Sequence, residues 1–375
     1  MRLKHGQRCV VAMVDGFGLD YYHGSPMPNL KAMARDGLFK PGRAVFPTLT
    51  NANNLSIVCG APPAIHGVNA NCYLDEATGR ARFLEDPSFL TAPTLFQRVR
   101  AGGGKSALLT CKAKTLGILA QDVDFGLAAE DPHPDLVARY GPPPGMYTGE
   151  VNDWLWRVAL DLLETRPDLS VIYVHTTDFP MHRWAPGEPG SQTHLAALDQ
   201  VLAEFRHRAP DAALLLTADH GMNAKTTCLD LGRMLEAAGI PVRAAISPVA
   251  DRLVEHHLGY GGVSFVYLKD PADLGPARTC LEAIAGVDEV LTREDAAARD
   301  QLMASRIGDL VVGADRATVF GSLAEPSAVL ASGYRNHGSR YEADVPLVAF
   351  NPEGGLPARD QLTYNYDLTR LAFYQ

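Results

Sequence analysis

The residues best suited to chemistry in this 375-residue chain are aspartates and histidines set just after apolar runs. Asp15 follows VVAMV, Asp178 follows VIYVHTT with His182 four positions on, and Asp219 and His220 close ALLLTADH. His337 stands in a later segment, GYRNHGSRYEADVPLVAF. Taken singly, each has an ordinary explanation: an Asp-Gly turn, a cap beside a surface histidine, a strand-ending turn, or one loop histidine among 12. Taken together, three aspartates and three histidines at strand ends or in re-entering loops would converge on one edge of a parallel sheet. Uncompensated carboxylates gathered there would repel one another, and a divalent cation removes that conflict. Mixed Asp/His ligation favours zinc or a similar transition metal over magnesium or calcium. Six ligands exceed the needs of one four-coordinate site, so two metal ions, each with an open position, are the economical solution. Two zinc ions per chain are therefore the expected cofactor.

Two further stretches carry reactive groups. FPTLTNANNLSIVCG sets Thr48 and Thr50 ahead of an apolar pattern at helical spacing. In one reading Thr50 is a helix N-cap, with Asn51 and Asn53 as turn residues. In the other, a hydroxyl at a helix amino terminus sits in a positive field, and a metal bound to it lowers its pKa further, giving an alkoxide nucleophile. In CKAKT, Lys112 and Lys114 follow the strand-like SALLT, and alternation would turn both side chains to one side, toward the carboxyl edge. Two exposed lysines after a strand are the plain alternative.

The elements that must position these groups are legible in outline. With 46% hydrophobic and 21% charged residues, the chain can bury a large core. A formal net charge of -9 argues against a nucleic-acid partner held by phosphate contacts. The apolar run before Asp15 is too short for a signal-peptide core or a membrane span. The six cysteines form no CxxC pair, which speaks against a disulfide framework and for a reducing cytoplasm. Strand-like runs (CVVAMVD, SALLTC, SVIYVHTTD, ALLLTADHG) alternate with helical patterns (PNLKAMARDG, VNDWLWRVALDLLE, THLAALDQVLAEF), which predicts an α/β fold with a mostly parallel sheet between helices. From 225 to 332 shorter strand-like pieces (VRAAIS, VSFVYL, DLVVGA) surround helical stretches, predicting a smaller α+β insertion that begins and ends at the site and could act as a cap. The core would then be 1–224 and 333–375, with VPLVAF as another core strand.

VDGFG, FPTLTNANN, HGVNAN, DFPMH, ADHGM and NHG follow one another as in the alkaline phosphatase superfamily, and the two-threonine stretch followed by HGxxxN resembles its nucleotide pyrophosphatase/phosphodiesterase branch. NANCYLDEATG, LLTCKAKTLG, VHTTDFPMHRWAPGEPG and GDLVVGADRATVFG resemble, more narrowly, the phosphonoacetate hydrolases. The resemblance implies an alkaline-phosphatase-like sandwich. It assigns Asp178, His182 and His337 to one zinc, and Asp15, Asp219, His220 and the Thr50 hydroxyl to the other. It makes Thr50 rather than Thr48 the nucleophile, has Asn71 donate its amide to a phosphoryl oxygen, and pairs Lys112 and Lys114 with a substrate carboxylate. Thr50, Asn71, Lys112, Lys114, His182 and His337 would all line the substrate. The implied reaction is cleavage of the carbon–phosphorus bond of phosphonoacetate to acetate and phosphate through a phosphothreonine. A phosphodiesterase or phosphomonoesterase with the same two-zinc centre is the alternative. The implied partner is a small phosphonate, with neither nucleic acid nor membrane, and a homodimer is left open.

Overall fold

The computed structural model describes residues 3, 6–251 and 258–374. The apolar runs that precede the candidate ligands become neighbours in one seven-stranded sheet. Its order is Leu38–Arg43, Asp344–Phe350, Ala213–Thr217, Cys9–Met13, Leu169–His175, Lys105–Thr110, Phe125–Ala128. Neighbours are parallel except at Asp344–Phe350, which runs antiparallel to the strands on both sides. CVVAM and ALLLT are buried at every position, as strands covered on both faces must be, which is why they read as continuous apolar runs.

Register places the site. Met13 is level with His175 and with Thr217, and His175 is level with Thr110. Asp15, Asp178, Asp219 and Lys112 therefore leave the sheet near one line at its carboxyl edge, where open α/β sheets bind ligands. Helices Pro28–Asp36, Glu150–Thr165 and Pro189–Arg208 form one packed group, and Thr50–Cys59, Leu95–Ala101 and Asp367–Phe373 another. The result is the expected α/β sandwich, mostly parallel at its centre.

Two of the seven strands leave little trace in the sequence. Leu38–Arg43 contains Pro41 and Gly42, which interrupt any apolar pattern; the proline is tolerated because this strand is an edge with a single neighbour. Phe125–Ala128, the opposite edge, is four residues long and lies in a stretch that reads as irregular.

Between His220 and His337 the chain builds a separate antiparallel sheet ordered Val242–Ile246, Val263–Leu268, Leu310–Ala314, Val287–Thr292, with helices Leu274–Glu282 and Arg293–Asp300. The three strand-like pieces read from sequence are present. The fourth strand, Val287–Thr292, is half-buried and carries two acidic residues, so it lacks an apolar signature. Asn223–Ala224 pairs antiparallel with Arg335–Asn336, and this short ladder draws His220 and His337 together. Among the described residues no helix is long and apolar enough to cross a membrane.

Candidate metal centre and active site

The loops that follow the central strands touch. Gly16 takes φ +74°, a left-handed conformation open to glycine, and its backbone N–H donates to Asp219 Oδ1 at 3.0 Å. A Cβ on Gly18 would lie 2.7 Å from Gly221 Cα, so VDGFG can approach the loop after Asp219 only without a side chain there. This contact brings Asp15 Oδ1 to 3.6 Å from His220 Nε2, and Asp219 Oδ2 lies 3.2 Å from the same nitrogen. On the other side His182 Nε2 is 2.8 Å from Asp178 Oδ2, and His337 Nε2 is 4.0 Å from it. The His220 and His337 rings stack at 3.6 Å. Candidate ligand atoms fall into two sets, each within 4.8 Å: Asp178, His182 and His337; and Asp15, Asp178 and His220. Asp178 belongs to both and so stands between them, with Asp219 bordering the second through His220.

The protonation pattern of this cluster fits metal ions. His182 Nδ1 lies 2.8 Å from Arg335 O, His220 Nδ1 2.9 Å from Gly221 O and His337 Nδ1 2.7 Å from Thr48 O. A carbonyl only accepts, so each ring carries its hydrogen on Nδ1 and turns the Nε2 lone pair toward the carboxylates. Asp15 Oδ1 and Asp219 Oδ2 are buried and accept no hydrogen bond among the described residues. Burial first, and then the carboxylates of Asp178 and Asp219, raise the Asp15 pKa well above the ordinary carboxylate range. Burial, with His220 and His182 nearby, lowers that of His337 well below the usual imidazole value. Buried carboxylate oxygens such as Asp15 Oδ1 and Asp219 Oδ2 facing an imidazole lone pair are a cation's environment, and three imidazoles with three carboxylates suit zinc.

The two threonines have different surroundings. Thr50 is the first residue of the helix Thr50–Cys59; Leu49 holds the cap position with no side-chain cap bond, so the N-cap reading does not apply. Thr50 Oγ1 lies 3.2 Å from His220 Nε2, at the rim of the second ligand set. Thr48 is fully buried, donates from Oγ1 to Ser339 O at 2.8 Å and accepts from Gly338 N–H at 3.0 Å. Its hydroxyl is occupied in holding the His337 loop. Asn71 reaches the same region: its Oδ1 accepts from Asn51 Nδ2 at 2.8 Å, and one Nδ2 hydrogen goes to Val249 O at 3.0 Å. A carboxamide carries a second such hydrogen.

The lysines are not placed by strand alternation. The strand ends at Thr110, Lys112 precedes the helix Ala113–Leu119, and Lys114 lies in its first turn. Burial opposes the Lys112 charge, but the carboxylates of Asp15 and Asp178 outweigh it and raise its pKa, so this ammonium lies in the field of the candidate ligands. Lys114 Nζ pairs instead with Asp251 Oδ2 at 2.6 Å, with side chains 10% and 4% exposed. Strand alternation, expected to turn both lysines to one side, does not apply, because the strand ends at Thr110 and a helix begins at Ala113.

The family model for type I phosphodiesterase/nucleotide pyrophosphatase matches residues 9–340, a span that includes every candidate site residue. The chain belongs to that family. It is similar in structure to phosphonoacetate hydrolase from Sinorhizobium meliloti 1021 in complex with phosphonoformate, with a TM-score of 0.87, 30% identity, and coverage of 98% of this chain and 95% of that one. The same enzyme in complex with phosphonoacetate superposes equally well at 29% identity. In sequence it is 24% identical over 228 residues to an uncharacterised pyrophosphatase/phosphodiesterase of Schizosaccharomyces pombe, covering 57% of this chain and 44% of that protein. It is 25% identical over 227 residues to human ectonucleotide pyrophosphatase/phosphodiesterase family member 7, covering 57% and 48%. The chain spans about half the length of the curated relatives it matches.

Around this candidate ligand set the structure shows supporting residues that the sequence pattern does not single out. His175 is fully buried at the end of its strand, and burial lowers its pKa to about 3. Its Nδ1 is 3.0 Å from Thr110 Oγ1 and 3.4 Å from Asn54 Nδ2. The Asn54 amide nitrogen can only donate, so the His175 proton sits on Nε2 and is given to Asp15 Oδ2 at 3.3 Å. That leaves Asp15 Oδ1 turned toward His220. Arg335 donates to Met181 O, Met222 O and Tyr21 Oη while its own carbonyl takes the His182 Nδ1 hydrogen. Lys225 and Glu342 form a fully buried ion pair at 2.9 Å, and Glu342 also accepts from the Ser339 backbone and hydroxyl beside His337. The available signal was a polar residue inside an apolar strand or a charge in a segment that must be buried; such groups require partners.

Proposed function

We propose that this chain is a di-zinc hydrolase that converts phosphonoacetate and water to acetate and phosphate. The observation that carries the reading is the cluster of candidate ligands with the Lys112 ammonium in its field and Lys114 two residues on, supported by the likeness to the S. meliloti enzyme over nearly the whole chain. Asp178, His182 and His337 would hold one zinc, and Asp15, Asp219, His220 and Thr50 the other. When bound, zinc supplies positive charge opposite phosphoryl oxygens and lowers the pKa of a hydroxyl or water it holds.

Thr50 Oγ1 is the nucleophile. Its proton passes to water, the oxygen bonds to phosphorus, and the phosphorus–carbon bond breaks with its electron pair on the methylene carbon. The adjacent carboxylate delocalises that pair until water supplies a proton, and acetate leaves. Ammonium groups at the carboxylate favour the charge as it grows, which makes Lys112 and Lys114 part of the chemistry as well as of binding. The second Asn71 amide hydrogen serves a phosphoryl oxygen. Water then adds to the phosphothreonine, releasing phosphate and restoring Thr50. The free cysteines fit a reducing compartment, and a cytoplasmic enzyme acting on a small phosphonate is the reading adopted.

A phosphodiesterase or phosphomonoesterase is the second reading, favoured by the family match. Phosphate release from the zinc-loaded protein separates the two on a panel of phosphonoacetate, phosphonopyruvate, 2-aminoethylphosphonate and a nitrophenyl phosphodiester. Preference for phosphonoacetate, lost in Lys112→Ala while diester hydrolysis persists, is the expected result. Preference for the diester, with equal losses on both substrates in Lys112→Ala, would make the esterase assignment the better one.

A further inference from the structure

Four residues of the insertion span the site from Asn71 to Lys114. Pro248 O accepts the Asn71 backbone N–H at 2.9 Å, Val249 O accepts from Asn71 Nδ2 at 3.0 Å, and Asp251 Oδ2 meets Lys114 Nζ at 2.6 Å. Val249 is 2% exposed and belongs to the apolar cluster of Phe46, Leu49, Ala52 and Ala70, so this segment is seated on the turn that leads into Thr50. Its end delivers a carboxylate to the lysine assigned to a substrate carboxylate.

Charge makes this placement consequential. Lys112 lies in the field of the Asp15 and Asp178 carboxylates, whose charge bound cations would compensate. For Lys114 there is no such compensation, because its partner comes from outside the ligand cluster. A substrate carboxylate arriving at Lys114 meets a second carboxylate already within hydrogen-bond distance of the same nitrogen. In a largely buried setting the two anions repel, and one ammonium cannot neutralise both.

We propose that Asp251 is a specificity-determining residue, an internal carboxylate that competes with the substrate carboxylate for Lys114 and is displaced when a carboxylated phosphonate binds. This rests on the phosphonoacetate reading given above. It makes Lys114 available in proportion to the fraction of molecules in which the pair is open, so the apparent affinity for carboxylated ligands is reduced by that fraction. It leaves ligands without a carboxylate unaffected. It also keeps an unpartnered ammonium from standing buried in the ligand-free protein.

The test is calorimetric titration of zinc-loaded wild type and Asp251→Asn with phosphonoformate and with methylphosphonate, which lacks the carboxylate. Asp251→Asn should bind phosphonoformate about tenfold more tightly, as a closed fraction near nine-tenths would give, with methylphosphonate unchanged. Equal changes for both ligands, or weaker phosphonoformate binding in the variant, would overturn the proposal. A crystal structure of the wild type with phosphonoformate is the second measurement, independent of how the variant folds. The 2.6 Å contact between Lys114 and Asp251 should be broken there, and its persistence beside a ligand carboxylate on Lys114 would equally overturn the competition. The two readings fail differently. No preference for phosphonoformate over methylphosphonate in either protein sinks the phosphonoacetate assignment and this inference with it. A preference present in wild type and unaltered in Asp251→Asn sinks only the role of Asp251.

Discussion

His175→Leu tests the reasoning that links fold to metal centre. The imidazole Nε2–H donates to Asp15 Oδ2 at 3.3 Å, fully buried, and leucine removes that donor while keeping an apolar side chain of similar bulk. A hydrogen bond to a charged group contributes about 1.5–3 kcal/mol, and about 1.4 kcal/mol is tenfold in affinity, so Asp15 freed to rotate should weaken its zinc by about 10- to 100-fold. Among the described residues the His175 ring meets Thr110, Asn54 and Asp15, so the site of Asp178, His182 and His337 should hold zinc as before. Competition of the zinc-loaded protein against a chromogenic chelator reads this as one equivalent released early and one late. His175→Gln, which retains a donor, should recover part of the loss. Asn54 and Thr110 lose their acceptor in the leucine variant, so its melting temperature should fall as well. Circular dichroism therefore has to show a folded protein before the titration is read. Two equivalents released at wild-type affinity, within about twofold, from folded His175→Leu would refute the assignment of Asp15 as a ligand oriented by His175.

Purified protein should carry two zinc equivalents by elemental analysis, and chelation should abolish turnover that added zinc restores; full activity in chelator with no bound transition metal would remove the di-zinc reading. Thr50→Ala should lose nearly all phosphate release with zinc content retained, because the remaining ligands are intact. Thr48→Ala should keep its chemistry but lose about 1–3 kcal/mol of stability in urea unfolding, since Ser339 O and Gly338 N–H lose a buried partner. Lys225→Met should destabilise by about 3–5 kcal/mol, because Glu342 would be left as a fully buried charge without its cation. A Lys225→Met/Glu342→Gln double variant should recover part of that loss in the same unfolding assay.

The three aspartates of the candidate ligand set were legible in the sequence because each follows closely on an apolar run long enough to be recognised as a buried strand. In a parallel sheet the ends of such runs share an edge. CVVAM, SVIYVH and ALLLT become adjacent strands in register, and Asp15, Asp178 and Asp219 emerge beside one another. His337 was legible as chemistry but not as a place, since its position depends on the two-residue ladder between Asn223–Ala224 and Arg335–Asn336. The tertiary structure alone decided how protons and charges are shared. The Nδ1 hydrogens of three histidines go to the carbonyls of Arg335, Gly221 and Thr48, and only His220 finds its carbonyl on a sequence neighbour. Thr48 and Thr50 differ by two positions and by everything around them, because the turn into a helix points one hydroxyl at the His337 loop and the other at His220. Lys114 reads as a free cation in CKAKT, yet a residue 137 positions away neutralises it. Local sequence carries periodicity and side-chain chemistry; which groups meet across the chain is set by register and packing, and burial then makes each such meeting obligatory.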